Sequence, residues 1–564
     1  MHSFRALTLL ATFAATASAA DSSADIRAAA QRSVSLIQRV NAQWKTPCVS
    51  CHHQILGALA LEAARTHGIP VDENLSQRAS TRDYKLLLDL DAAIRVDPLI
   101  DPAMSEGSML LGAHAAGVKP SLVTAAYARH IAGNQLPDGH WMVFDTRPPH
   151  SHSEITGAAI SAQAIGKYHP NPQPYLSLAR QWLAAAVPQD TEGATFRLLG
   201  LLWTSASKAD IQSAATHLAS LQHPDGSWAQ MPISKVSDAY STAEALYALR
   251  TSKSWQPDNG NFQRGVKWLL DHQAADGSWH VKSRINTPAP ISPPYFESGF
   301  PYGHDQFLSM AATAWAVRAL TEALPEIQHP PAPLPLPTFD ATKLTWADTA
   351  MFGTLANLAK IDPNAATPLG TTALMMAAND PAKIEILLHR GAKPKAITKV
   401  GYDALMIAAL YHGNSKGIEV LLNAGIPAAP SRKIRYDASA LAHAVMSNDP
   451  DMVQLLLSKG ANPNHGMRLL GGPSITVLGL ASNFDNAANI RLLAKAGVKI
   501  EDPDKVGMTS LSYAALGLRT ESIKALLDLG ANPKHKDKFG LLPLDHTSAI
   551  ADTPRDAATI LKSR

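Results

Sequence analysis

Two cysteines occur in 564 residues, as Cys48-Val49-Ser50-Cys51, and His52 follows directly. Thiols at this spacing can bond the two vinyl groups of a haem, and the adjacent imidazole can take an axial position on its iron. The motif therefore predicts covalent haem c held by Cys48, Cys51 and His52. Zinc is the alternative cofactor, because Cys and His are good zinc ligands, although a closed structural zinc site takes four of them. A redox dithiol would call for the βαβ pattern of a thioredoxin fold, which is missing. His53 stands too close in sequence to reach the opposite face of the same iron. The sixth-ligand candidates are His152, His304 and Met104, with His150 and Met109 behind them. An open sixth position would favour ligand sensing or peroxide chemistry over plain electron transfer.

The N-terminus bears on the same question. Arg5 gives a positive start, 6–15 is a short apolar run, and Ala17-Ser18-Ala19 forms a small-residue cleavage site. This reads as a cleaved signal peptide over 1–19, so the mature protein is expected to be periplasmic or secreted. Free thiols seldom persist in an oxidising compartment, so the cysteines should carry a cofactor or form a disulfide. A disulfide closing so small a loop would stabilise a long chain little. No later stretch has the ~20 apolar residues of a membrane span. A net charge of +3 with 17% charged residues leaves nucleic-acid binding unlikely as a class.

The elements that must position the motif fall into two repeat systems. Pro330-Pro331-Ala332-Pro333-Leu334-Pro335-Leu336-Pro337 separates them as an extended spacer, within a linker over 326–344. Beyond it, a segment such as Gly370-Thr371-Thr372-Ala373-Leu374 recurs about every 33 residues. Second helices there end in turns such as Leu456-Leu457-Ser458-Lys459-Gly460-Ala461-Asn462-Pro463, where Gly caps the helix in the left-handed region. Residues 345–564 resemble ankyrin repeats, in five clean copies and a fainter one through Thr476-Val477-Leu478. That resemblance implies a protein partner bound on the concave face and loop tips.

Before the linker, helical hairpins share a loop: Gln135-Leu136-Pro137-Asp138-Gly139-His140-Trp141, Gln222-His223-Pro224-Asp225-Gly226-Ser227-Trp228 and Gln273-Ala274-Ala275-Asp276-Gly277-Ser278-Trp279. These resemble the QW motifs of squalene–hopene cyclase and prenyltransferase toroids. The resemblance implies that Gln ties a helix end while Trp packs over the hairpin, locking outer to inner helix. The expected fold is all-α: an (α/α)6 toroid over 20–325, followed by an ankyrin-repeat solenoid. Six inner helices are expected to begin near Cys51, Ser105, Ser153, Glu192, Asp238 and His304. The motif at 48–52 then falls at the barrel mouth, where ligands enter the resembled enzymes.

Glu106, His150, His152, Glu154, Asp238, Tyr240, His304 and Asp305 are the polar residues near inner-helix starts that would face one opening. Such residues also serve as helix caps, and Asp238 and Ser153 are good ones. Prenyltransferases hold catalytic zinc with Asp, Cys and His, which Cys51, His52, His152, Asp238 and His304 imitate only loosely. Asp89-Leu90-Asp91-Ala92 lacks the final Asp of the cyclase acid motif and is expected on a solvated face. The leading expectation is an exported monohaem protein, a redox sensor or electron-transfer adaptor, with a partner on its ankyrin stack. A toroid enzyme acting on a small isoprenoid, glycan or peptide ligand, with zinc or haem at the mouth, is one alternative. A binding scaffold whose cysteines form a disulfide is the other.

Overall fold

The computed structural model describes residues 3–44, 51–96, 101–143, 149–150, 153–284, 297–468, 474–548 and 556–563, with side chains described from Ser23 in the first segment and His53 in the second. Among the described residues, thirteen α-helices precede the linker: α1 (Ser3–Gln43), α2 (Leu56–Thr66), α3 (Glu73–Asp83), α4 (Leu90–Arg95), α5 (Gly107–Ala115), α6 (Leu122–Ala132), α7 (Glu154–Tyr168), α8 (Gln173–Ala185), α9 (Thr191–Trp203), α10 (Lys208–Ser220), α11 (Ala239–Thr251), α12 (Gly260–Asp271) and α13 (Gln306–Thr321). Helices α2, α5, α7, α9, α11 and α13 each pack on the next, and α13 returns to α2. They form a closed inner ring, with α1, α3–α4, α6, α8, α10 and α12 outside it. The fold is the expected (α/α)6 toroid.

Inner helices must be apolar or small nearly all round, because they are covered on both sides. Helix α13 shows this: every residue from Leu308 to Thr321 is buried. Caps set the starts of three inner helices, with the Ser153, Asp190 and Asp238 side chains accepting from the amides of Thr156, Gly193 and Ser241. Short turns precede the other three, a π-helical turn at Cys51–Ile55 and at Pro102–Glu106 and a 3₁₀ turn at Gly303–Asp305.

The three Gln–Trp loops hold the ring through one repeated geometry. Trp141, Trp228 and Trp279 donate their indole N–H to the carbonyls of Ile131, Leu218 and Leu269, at 2.7, 3.0 and 2.9 Å. Each indole thus adds a second donor to a carbonyl in the last turn of the outer helix just completed, one that also accepts the amide three residues on. Gln135, Gln222 and Gln273 donate to the carbonyls of Tyr175, Asn261 and Ala29, each on the next outer helix. The expected lock is therefore refined: Trp binds its own outer helix, and Gln joins neighbouring outer helices. The Gln273 bond reaches α1 and fastens the last hairpin to the first. Gly277 makes this approach possible. It has φ +91°, and a Cβ there would lie 2.6 Å from the Arg32 carbonyl carbon.

Residues 326–344 contain no helix or strand. This extended segment lies along the ring: the Ile327 amide donates to the Thr66 carbonyl, and Gln77 donates to the Pro335 carbonyl. Beyond it, paired short helices repeat, and the faint copy is real as Val477–Asn483 followed by Ala487–Lys495. Thr372, Asp403, Ser439, Thr476 and Thr509 cap the first helices of five successive repeats. The only strands among the described residues, Gly466–Arg468 and Ser474–Thr476, form an antiparallel hairpin in the fourth finger loop.

The stack docks on the toroid through buried polar groups. Arg129 of α6 donates to the Met376 carbonyl at 2.5 Å and the Tyr411 hydroxyl at 3.0 Å. His130 lies with Nδ1 2.9 Å from Glu106 and Nε2 3.2 Å from the Leu410 carbonyl. The Arg519 guanidinium donates to the Val143 carbonyl. Asp91, expected on a solvated face, is buried instead and accepts from the Thr367 and Thr371 hydroxyls of the first finger loop.

Candidate functional site at the ring mouth

The backbone at Cys51 and His52 opens the Cys51–Ile55 turn, which runs directly into α2. The motif's C-terminal half therefore stands at the start of an inner helix. Cys48 lies outside the described residues, as does His152.

His53 begins the described side chains here, and it is fully buried among aromatic rings. Trp44 lies 5.0 Å away between centroids, Phe307 5.5 Å edge-on and Phe300 6.4 Å edge-on. Burial lowers the His53 pKa to about 3, so the ring is neutral. Trp44, Phe300 and Phe307 thus surround the imidazole that directly follows the motif in sequence.

The remaining candidates separate. Met104 lies in the Pro102–Glu106 turn and is buried, its sulfur packed toward Gly157 of α7. Met109 is buried within α5. His304 is exposed in the turn before α13, which neighbours α2 in the ring. His150 is buried, with Nδ1 3.1 Å from the Tyr240 hydroxyl. Several polar residues expected at the opening do other work. Glu106 is tied to His130, Asp238 caps α11, and Asp305 lies 2.9 Å from His280. The loose zinc set loses Asp238 to that cap, and no three His, Cys, Asp or Glu side chains gather as a metal site among the described residues.

The ring encloses a narrow cavity of about 100 Å³ that touches all six inner helices. That volume holds a few waters, since one needs ~10–15 Å³ on this measure. His150 lines one end, and Phe196, Tyr247 and Trp315 supply apolar walls. Glu62, His114, Lys167 and Arg318 border it nearer the C-terminal ends of their helices. Burial lowers the pKa of both His114 and Lys167. The Arg318 guanidinium lies over the Tyr247 ring at 3.9 Å and the Trp315 ring at 4.2 Å.

A buried acid beside His150 escaped the sequence reading. Glu244 lies on α11 one turn beyond Tyr240, and the Tyr240 hydroxyl approaches its carboxyl. Burial first, then the charges of Glu192, Asp190 and Asp238, push the Glu244 pKa well above the usual carboxylate range. Its sequence signal is the one acid within the otherwise uncharged stretch 239–249.

Comparisons with known proteins bear on the C-terminal part. A family model described as ankyrin repeats (3 copies) matches residues 374–467 and 441–537. SH3 and multiple ankyrin repeat domains protein 1 of Mus musculus is 36% identical over 115 residues, which is 20% of this chain and 5% of that protein. Mitochondrial disaggregase of Bos taurus is 31% identical over 182 residues, 31% of this chain and 20% of that protein. The chain thus spans only a small part of these curated relatives. The human ASB11 ankyrin repeat domain matches at TM-score 0.34 and 23% identity, over 39% of this chain and 96% of that one. Residues 374–537 are similar to ankyrin repeats in both sequence pattern and paired-helix structure. The C-terminal part of the chain is an ankyrin-repeat stack.

Proposed function

We propose that this chain is an exported, monohaem c-type protein whose toroid presents haem at its mouth and whose ankyrin stack binds a protein partner. One observation carries the reading: the Cys51–Ile55 turn leads straight into an inner helix of a closed ring. A group bonded to Cys48 and Cys51, with His52 as axial ligand, would stand at the opening. The donor set has the right chemistry, and the Trp44, Phe300 and Phe307 wall supplies an apolar surface next to it. Haem would supply one-electron transfer or ligand binding, according to its sixth position. The cavity behind the mouth is too small for haem itself, so the group would cover the opening rather than fill the ring. Export to the periplasm or outside the cell rests on the signal-like segment 1–19 and suits covalent haem attachment.

Haem staining after denaturing electrophoresis tests this reading. A stained band lost in Cys51→Ser supports it, and an unstained wild-type protein made with a haem-attachment system refutes it.

A second reading is favoured by Glu244. A buried carboxyl whose pKa is raised by burial and neighbouring acids, next to Tyr240 and near a cavity with aromatic walls, suits a toroid enzyme acting on a small ligand. About one equivalent of bound zinc without haem would select this reading.

A further inference from the structure

A buried cation and a buried indole border the ring cavity without an acceptor. Arg318 and Trp315 lie about one turn apart on α13, 7% and 2% exposed, and both line it. The Arg318 guanidinium has no hydrogen bond and no ion pair among the described residues, and its contacts are the rings of Tyr247 and Trp315. Glu322, an acid whose charge it feels, lies 3.8 Å from Arg250 instead. The Trp315 indole N–H likewise meets no acceptor among the described residues. Buried donors nearly always have partners, and an unpaired buried charge is costly. With rings against the guanidinium carbon, its N–H edges remain for an acceptor, and a carboxylate matches that planar fork.

We propose that the ring binds a small monocarboxylate with an apolar body of about ring size, its carboxylate held by Arg318 and Trp315. Entry is from the end of the ring opposite the Cys–His motif, where Glu62, His114 and Lys167 are exposed. The connections at that end, 67–72, 116–121, 169–172, 204–207 and 252–259, all lie within the described residues. Charge sets the valence of the ligand. Lys167 and Arg318 face one carboxylate, Glu62, which leaves one positive charge in excess in the lining. A monoanion balances that charge, whereas a phosphomonoester would bring a second negative charge toward Glu62. The walls set the rest. Leu111, Ile160 and Phe196 line the cavity near the middles of their helices, deeper than Arg318, so the apolar body lies inside and the charge toward the opening. At about 100 Å³ the cavity is smaller than the ~150 Å³ apolar cavity that takes up benzene, so the enclosed body is no larger than one ring.

The inference deepens the small-ligand reading of the toroid by naming a ligand class, and it needs neither zinc nor haem. Protein that lacks zinc yet binds the carboxylate would sink the enzyme reading and leave this one standing; zinc without carboxylate binding would do the reverse. The test is calorimetric titration of the full chain with phenylacetate, its neutral counterpart phenethyl alcohol, and acetate. Phenylacetate should bind with Kd near or below ~1 mM. Phenethyl alcohol, without the charge, and acetate, without the ring, should each bind at least about tenfold more weakly. Arg318→Met keeps the apolar stem and removes the charge, and should cost at least about tenfold in phenylacetate affinity with unchanged circular dichroism. The ligand series is read on wild type, so it decides the matter even where that variant fails to fold. No binding of phenylacetate, equal binding of phenethyl alcohol or of acetate, or an unaltered affinity in folded Arg318→Met would each overturn the proposal.

Discussion

Replacing Arg129 with Ala should uncouple the ankyrin stack from the toroid. The guanidinium is buried between them, donating to the Met376 carbonyl at 2.5 Å, the Tyr411 hydroxyl at 3.0 Å and the Asn379 side chain at 3.3 Å. It also lies 5.5 Å from the Tyr411 ring centroid and 5.9 Å from that of Phe352. Truncation leaves a buried carbonyl and a buried phenol without their donor, at ~1–3 kcal/mol each. With the lost ring contacts at ~0.5–1 kcal/mol, the interface should weaken by about 2.5–7 kcal/mol. Nine of the ten tryptophans precede the linker, Trp346 being the exception, so fluorescence reports mainly on the toroid while far-ultraviolet dichroism reports on both parts. In wild type the two urea curves should coincide. In Arg129→Ala they should separate into two transitions, and Arg129→Lys should restore part of the coupling. Coincident curves with a shift worth less than ~0.5 kcal/mol would refute a role for this contact in joining the two parts.

Other consequences are equally direct. Gly277→Ala should lower thermal stability by roughly 1–3 kcal/mol, from positive φ and the approach to Arg32, whereas Gly260→Ala, with open space around it, should be neutral or stabilising in the same melts. Burial holds His443 at about 4, below its ordinary 6.5. Because the folded value is depressed, its contribution is complete above pH 6.5 and is lost as pH falls toward 4, by up to about 3 kcal/mol. His443→Asn should flatten that acid limb in urea titrations. Glu244 has the opposite sign: its raised folded pKa gives stability present below about 4.5 and lost as pH rises. Glu244→Gln should therefore gain stability at pH 7 and shrink the alkaline decline, which denaturation midpoints at pH 5 and 8 would show.

Much of this architecture was legible because its devices are local. Ser153 and Asp238 mark helix starts, and the Asp-Gly turns with Gln and Trp mark three hairpins. Glycines such as Gly460 and Gly530, at φ +88° and +87°, mark repeat ends. Partnership between distant surfaces was not legible. Asp91 looks like a solvated acid in its own helix, and only the first ankyrin finger, more than 270 residues away, explains its burial. Gln273 showed its turn but not its partner on α1, because ring closure is a property of the whole chain. Glu244 gave one weak signal, the one acid in the otherwise uncharged stretch 239–249. The chemistry of the motif was clearest in sequence, and the fold adds its address, a turn entering α2 against an aromatic wall.

The central claim is that this address carries covalent haem. The most direct measurement is the absorption spectrum of purified protein, made with a haem-attachment system and extracted with acidified acetone. The account predicts a Soret band that stays with the polypeptide in wild type and is absent from Cys51→Ser. A wild-type polypeptide left colourless after extraction would contradict it.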